Sequence, residues 1–189
     1  MEKTAIPPWT PTGVLPPVND ADPVGPDRSP YQVSLVDIVL RFATSRERRQ
    51  ILDGLLRFRR ELHSTGLVEG FQWIDGSFLE AVETLERRAP KDVDVVTFVE
   101  PPADFAISDR VKAILNHDSV KRHYFVDHYF VELTLPSKNL VEQSTYWSSL
   151  WSHRRSMQWK GFLQINLDPS EDVAAAKNLE EAGNVETAE

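Results

Sequence analysis

The sequence predicts an α/β (α+β) protein, a small sheet flanked by helices. Three observations point there. Ile51, Leu55, Phe58 and Leu62 form an apolar stripe at helical spacing, backed by Leu52 and Leu56. Residues 71–75, 92–99, 123–134 and 161–167 are rich in β-branched and aromatic side chains and read as the core strands. Helical stretches fall between them, so strands and helices alternate along the chain.

The bulk composition bounds the rest. A chain of 189 residues with 41% hydrophobic side chains supports one domain with extensions. A net charge of −8 disfavours broad, nonspecific binding to nucleic acid, though not a local basic site. There is no cysteine, hence no disulfide and no thiolate metal site. No apolar run approaches eighteen residues and no basic start precedes an apolar core, so the expectation is a cytoplasmic protein with no membrane partner.

In chain order, residues 1–30 form a proline-rich arm, with eight of the 13 prolines. Such a segment makes neither a regular helix nor a central strand. Ile6, Trp9, Val14 and Leu15 are too apolar for a pure linker and suggest contact with the domain or a partner. The domain itself is expected over 31–167. Residues 31–67 read as helical, with Ser34 capping a first helix and Thr44 with Glu47 forming a capping box for the second. Arg46, Arg49, Arg57 and Arg60 lie opposite the apolar stripe; this arginine-rich helix, 46–60, and the arm are the candidate surfaces for a partner. Residues 78–88 can be helical, Ser108 caps a helix over 109–117, residues 122–135 make the longest strand, and 139–153 form a helix. Residues 168–189 are acidic, alanine-rich and read as poor in large apolar side chains, so they are expected to form a poorly ordered tail.

The stretch from Phe71 to Val99 carries the chemistry. An apolar strand ends in Asp75-Gly76-Ser77, where glycine lets the backbone approach a ligand and serine adds a hydroxyl. Free N–H groups at a helix start suit a phosphate. Asp92 and Asp94 then sit two apart on a strand, so both project to one side while Val93 and Val95 enter the core. Paired carboxylates repel unless a cation neutralises them, and oxygen-only ligands favour Mg²⁺. Asp127 interrupts the apolar row Phe125, Tyr129, Val131 and Leu133 of the long strand.

This pattern resembles the nucleotidyltransferase superfamily: Ile74, Gly76-Ser77, a spacer, then Asp92-x-Asp94 on a strand. It is similar to small bacterial proteins of unknown function with a minimal domain of that kind, over roughly residues 6–167. The fifteen-residue spacer between Gly76 and Asp92 is longer than in compact members. The resemblance implies a small mixed sheet of the nucleotidyltransferase type. It also implies transfer of a nucleoside monophosphate from an NTP, with ATP the expected nucleotide, to a protein or nucleic-acid (RNA) acceptor. Asp92, Asp94 and Asp127 would be catalytic and hold Mg²⁺ or Mn²⁺, with Glu132 and Glu100 as weaker alternatives for the third carboxylate. Gly76, Ser77 and Lys160 would bind the nucleotide, and Arg155 is a further candidate for the phosphates. Some minimal members serve toxin–antitoxin or antiphage systems. The rival reading is a catalytically inactive protein of this fold that acts as a protein-binding module.

Overall fold

The computed structural model describes residues 5–186. Five strands, β1 (Tyr31–Gln32), β2 (Gly70–Asp75), β3 (Val93–Val99), β4 (Val126–Glu132) and β5 (Leu163–Asn166), form one sheet in the order β1-β5-β2-β3-β4. The sheet is mixed. β2 runs antiparallel to both β3 and β5, while β1–β5 and β3–β4 are parallel pairs. The helices are α1 (Leu35–Phe42), α2 (Arg46–His63), α3 (Val82–Leu85), α4 (Asp109–Leu115), α5 (His117–Tyr124), α6 (Ser137–Trp151) and α7 (Asp172–Glu186). No helix among the described residues is long and apolar enough to cross a membrane.

The sheet lies between helices. On one face Phe58 of α2 packs on His128 of β4, with ring centroids 4.4 Å apart. On the other, Trp147 of α6 meets Tyr129 of β4 at 4.8 Å, and Trp151 meets Phe162 at 5.9 Å. The stripe Ile51, Leu55, Phe58 and Leu62 is buried as its spacing predicts. Two arginines share that phase and are fully buried with it: Arg48 and Arg59. The predicted exposed arginines, Arg46 and Arg60, do face outward, and Arg49 and Arg57 are half-buried.

Burying a guanidinium requires that its donors be met. Arg59 donates to Gln72 Oε1 (2.6 Å), to the carbonyls of Asn166, Leu167 and Asp168, and to Asp172 Oδ1 (2.8 Å). From Gln72 the contacts continue through Thr97 Oγ1 (2.9 Å) to His128 Nε2 (3.2 Å), a polar row under the sheet. Burial holds His128 far down, at about 3, so it stays neutral.

Several local expectations change. The second helix is capped by Ser45, whose side chain accepts from Arg48 N–H, and not by a Thr44 box. Residues 78–88 do not make one helix. A 3-10 turn, Ser77–Leu79, and the four-residue α3 take their place, because the carbonyls of this stretch are drawn to other partners. Residues 122–124 belong to α5, not to the long strand. Asn116 caps α5 by accepting from Ser119 N–H, and Phe125 (φ 57°) turns the chain directly into β4. β1 pairs where helix is expected, held by Tyr31 N–H to Phe162 O.

The arm is irregular, as its prolines require, but it is part of the domain: Val14 and Leu15 are buried, and Gly161 N–H donates to Leu15 O. The acidic tail is a correction. Pro169–Glu171 make a 3-10 turn and α7 follows, packed on α1 and α2. Ala175 and Leu179 are buried, and Glu171 accepts from Leu35 N–H at the start of α1 (2.8 Å). A single leucine, four residues beyond a small alanine, was enough apolar spacing for a docked helix. The last three tail residues, 187–189, lie outside the described residues, as do 1–4 of the arm.

Asp172→Ala should therefore lower the urea midpoint with an unchanged slope. The expected loss is about 2–3 kcal/mol, since it strands a buried guanidinium. A midpoint within error of wild type would show that α7 is not part of the folding unit.

Candidate active site

The site forms where β2 ends and β3 and β4 begin. The cross-strand register pairs Asp75 with Asp94, and Asp94 with Asp127. Paired residues of neighbouring strands point to the same face, so three carboxylates stand in a row across three strands. Asp92 lies one residue before β3 and joins them through Lys121, whose Nζ is 3.0 Å from Asp92 Oδ2 and also bonds Asp127 Oδ2. Val93 and Val95 are buried on the other side, as the alternation predicts.

Each carboxylate is compensated differently. Asp75 is buried, and both its oxygens accept from Lys160 Nζ, at 2.8 Å each. Burial pushes its carboxyl up to about 7 against that pairing. The same ammonium reaches Glu80 Oε1 at 3.4 Å, and Arg154 lies 3.0 Å from Glu80 Oε2. Asp127 is held below the usual carboxylate range: burial alone would raise it, but bonds from Lys121 and from His117 Nε2 (2.7 Å) outweigh that. Asp94 has no ion pair or side-chain hydrogen bond among the described residues. Burial, Asp92 and Asp127 raise it to about 6, beyond what Lys160 and Lys121 offset.

The Gly76-Ser77 turn abuts Asp94. Gly76 has φ 91°, a region that side-chain-bearing residues rarely adopt, and a Cβ there would lie 2.6 Å from Asp94 Oδ2. Arg48 fixes the turn from behind by donating to Phe78 O (2.6 Å) and Glu80 O (2.7 Å), and it pairs with Glu83. Trp9 of the arm donates to Leu79 O at 2.7 Å. Three successive carbonyls are thereby drawn away from the site, while the first N–H groups of the 3-10 turn have no acceptor within it. In front of Asp94 and Asp127 opens a cavity of about 310 Å³, lined by Tyr129, Tyr146, Trp147, Leu150, Trp151 and Arg155.

The structure thus brings Asp92, Asp94, Asp127, Gly76 and Ser77 together on one side of the sheet. It does not bring Lys160 to the opening. That ammonium is buried (6% exposed) and committed to Asp75 and Glu80, so it is a structural counter-ion and not a nucleotide contact. The cation that lines the cavity is Arg155. Glu132 lies at the far end of β4, beside Val99, and Glu100 follows β3 there, so neither replaces Asp127. Among the described residues no three carboxylates or histidines converge closely enough to hold a metal ion as they stand. Lys121 fills the space between Asp92 and Asp127.

Lys121, His117, Asp75 and Arg48 are the residues that sequence reasoning missed. Asn116, an N-cap residue followed by Asp118, is the feature that could have revealed α5 and with it Lys121. Arg48 stands at the spacing of the apolar stripe, three and four residues before Ile51 and Leu52.

A family model matches residues 7–166. The chain belongs to DUF6932, a family of unknown function. The match begins in the arm and ends with β5, so in this DUF6932 chain the arm from residue 7 onward and all four carboxylates lie inside the family region, whereas α7 lies beyond it. No curated protein and no solved structure matches the chain.

Asp94 gives a pH prediction. A carboxyl raised in the folded state binds protons the unfolded chain has lost, so its contribution to stability falls as pH rises from about 4 through 6. In chelator-treated buffer, Asp94→Asn should raise the Tm at pH 7.5 by roughly 3–6 °C, about 1–2 kcal/mol, and by about half as much at pH 5, midway through that window. The same shift at both pH values would assign the gain to something other than the Asp94 charge.

Proposed function

We propose that this DUF6932 chain is a metal-dependent nucleotidyltransferase. The observation that carries the reading is the placement of Asp94 and Asp127. They stand in register on neighbouring strands beside Gly76, with Asp94 lacking a partner cation at the floor of an aromatic-lined cavity.

The donor set fits a divalent cation in its chemistry. Asp92, Asp94 and Asp127 offer oxygens only, and the row of four carboxylates faces two lysines, which leaves an excess of negative charge. These three aspartates would hold Mg²⁺ or Mn²⁺. When bound, the ion supplies electrostatic stabilisation of the phosphate oxygens. The remaining roles fall to the chain. Gly76 and Ser77 present backbone to the triphosphate, and Arg155 supplies a guanidinium at the cavity edge. Tyr129 and Tyr146 offer exposed rings for a base. Asp127 accepts a hydrogen bond from the acceptor hydroxyl and takes up its proton, and His117 Nε2–H, 2.7 Å from Asp127 Oδ1, orients that carboxylate. The hydroxyl oxygen bonds to the α-phosphorus, the bond to the bridging oxygen breaks, and pyrophosphate leaves. The acceptor is a protein or RNA hydroxyl, with ATP as the nucleotide.

One observation favours the second reading, a non-catalytic binding module. Val141, Tyr146 and Leu150 on α6, with Met157 and Trp159 after it, are large apolar side chains in the open; Trp159 is 69% exposed.

The test is label transfer from α-labelled ATP to a lysate in Mg²⁺ or Mn²⁺. Wild type should label an acceptor. Asp94→Asn and Asp127→Asn should each reduce transfer by at least about 10²-fold, the scale of losing a charge-stabilising group, while remaining folded. A wild-type protein that transfers no label from any NTP with either metal sinks the catalytic reading in favour of the module.

A further inference from the structure

We propose that Lys121 is a tethered cation that closes the carboxylate site: its ammonium occupies the place between Asp92 and Asp127 and must swing out before a divalent ion enters. The inference rests on the nucleotidyl-transfer reading and adds to it a device that sets how much metal the site demands.

Lys121 and Lys160 are both counter-ions here, but only one can leave. Lys160 is buried and takes both oxygens of Asp75 as well as Glu80. Its departure would strand a buried carboxylate. The Lys121 side chain is 43% exposed, and it approaches Asp92 and Asp127 from the solvent side of the row. Its stem can rotate into water without repacking the core.

The backbone beneath it is fixed, so only the side chain moves. Val120 is buried, and Asn116 caps the start of α5. At the other end a Cβ on Gly54 would lie 1.9 Å from Tyr124 O, so α5 approaches α2 as closely as only glycine allows. Phe125 then turns the chain into β4, which places Lys121 six residues before Asp127, within reach of its carboxylate.

Charge supplies the direction of the exchange. One ammonium cancels one charge and leaves Asp94 without an ion pair, whereas a divalent ion cancels two. Because the ammonium is part of the chain, it competes at a fixed effective concentration of order millimolar. Metal entry is thereby raised to a threshold and not left open at trace levels.

The full chain is titrated with MnCl₂ by calorimetry as wild type, Lys121→Met and Lys121→Arg. Methionine keeps the stem and removes the charge; arginine keeps a cation. The expected result is Mn²⁺ binding about tenfold or more tighter for Lys121→Met, as for loss of a partly buried competing pair, with Lys121→Arg close to wild type. In chelator, Lys121→Met should melt below wild type, and Mn²⁺ should raise its Tm more. If wild type binds Mn²⁺ and Lys121→Met binds equally or more weakly, Lys121 supports the site and does not close it, and the inference fails while the metal reading stands. If none of the three proteins binds Mn²⁺, the metal reading falls and takes this inference with it. Should Lys121→Met be unfolded in chelator, recovery of the fold on adding Mn²⁺ supports the exchange, and failure to recover at any concentration overturns it.

Discussion

Asp75, Asp94 and Asp127 repel one another across three neighbouring strands, and much of the structure around them answers that repulsion. In-register carboxylates are unfavourable on any sheet. Here Lys160 is drawn into the interior to meet Asp75, Lys121 is brought over the sheet edge to meet Asp127 and Asp92, and His117 takes the remaining Asp127 oxygen. Asp94, at the centre, is left with no ion partner among the described residues. A sheet selected for stability alone would place valine there, as the chain does at Val93 and Val95. Strongly perturbed carboxyls gather at functional sites, which makes Asp94 the candidate here.

The second organising constraint is α2. Its apolar stripe carries two buried arginines at opposite ends. Arg48 gathers the carbonyls behind the Gly76 turn, and Arg59 gathers those at the end of β5 together with Asp172. One helix therefore sets both the backbone beside Asp94 and the docking of α7. Guanidinium suits this work, because its planar fork meets several fixed acceptors at once where an ammonium would meet them singly.

The motif was legible because its geometry is local. Gly76-Ser77 and the alternation of Asp92, Val93, Asp94 and Val95 need only the strand period to be read. Asp127 was legible as a charge in an apolar row, and it stands beside Asp94. What escaped was long-range. Lys160 reads as a nucleotide contact, and nothing near it in the sequence shows that its partner is Asp75. Arg48 and Arg59 read as polar punctuation on a helix until Phe78, Glu80, Asn166 and Leu167 offer them carbonyls. The helix at 172–186 escaped because Ala175 and Leu179 make a thin stripe, sufficient only since α1 and α2 present a groove and Glu171 a cap.

The pairing of Asp75 with Lys160 spans 85 residues of chain, and β2 receives its β5 neighbour from the same late segment. A nascent chain that has made only β2, β3 and β4 would hold a carboxylate that cannot enter the interior charged, beside a strand with one open edge. Such a sheet has no reason to close early. Contacts of this separation are slow to form and leave strand edges exposed meanwhile. Synthesis must pass residue 160 before the innermost acid finds its base, so the carboxylate face and the β5 side of the interior are completed in the same late event.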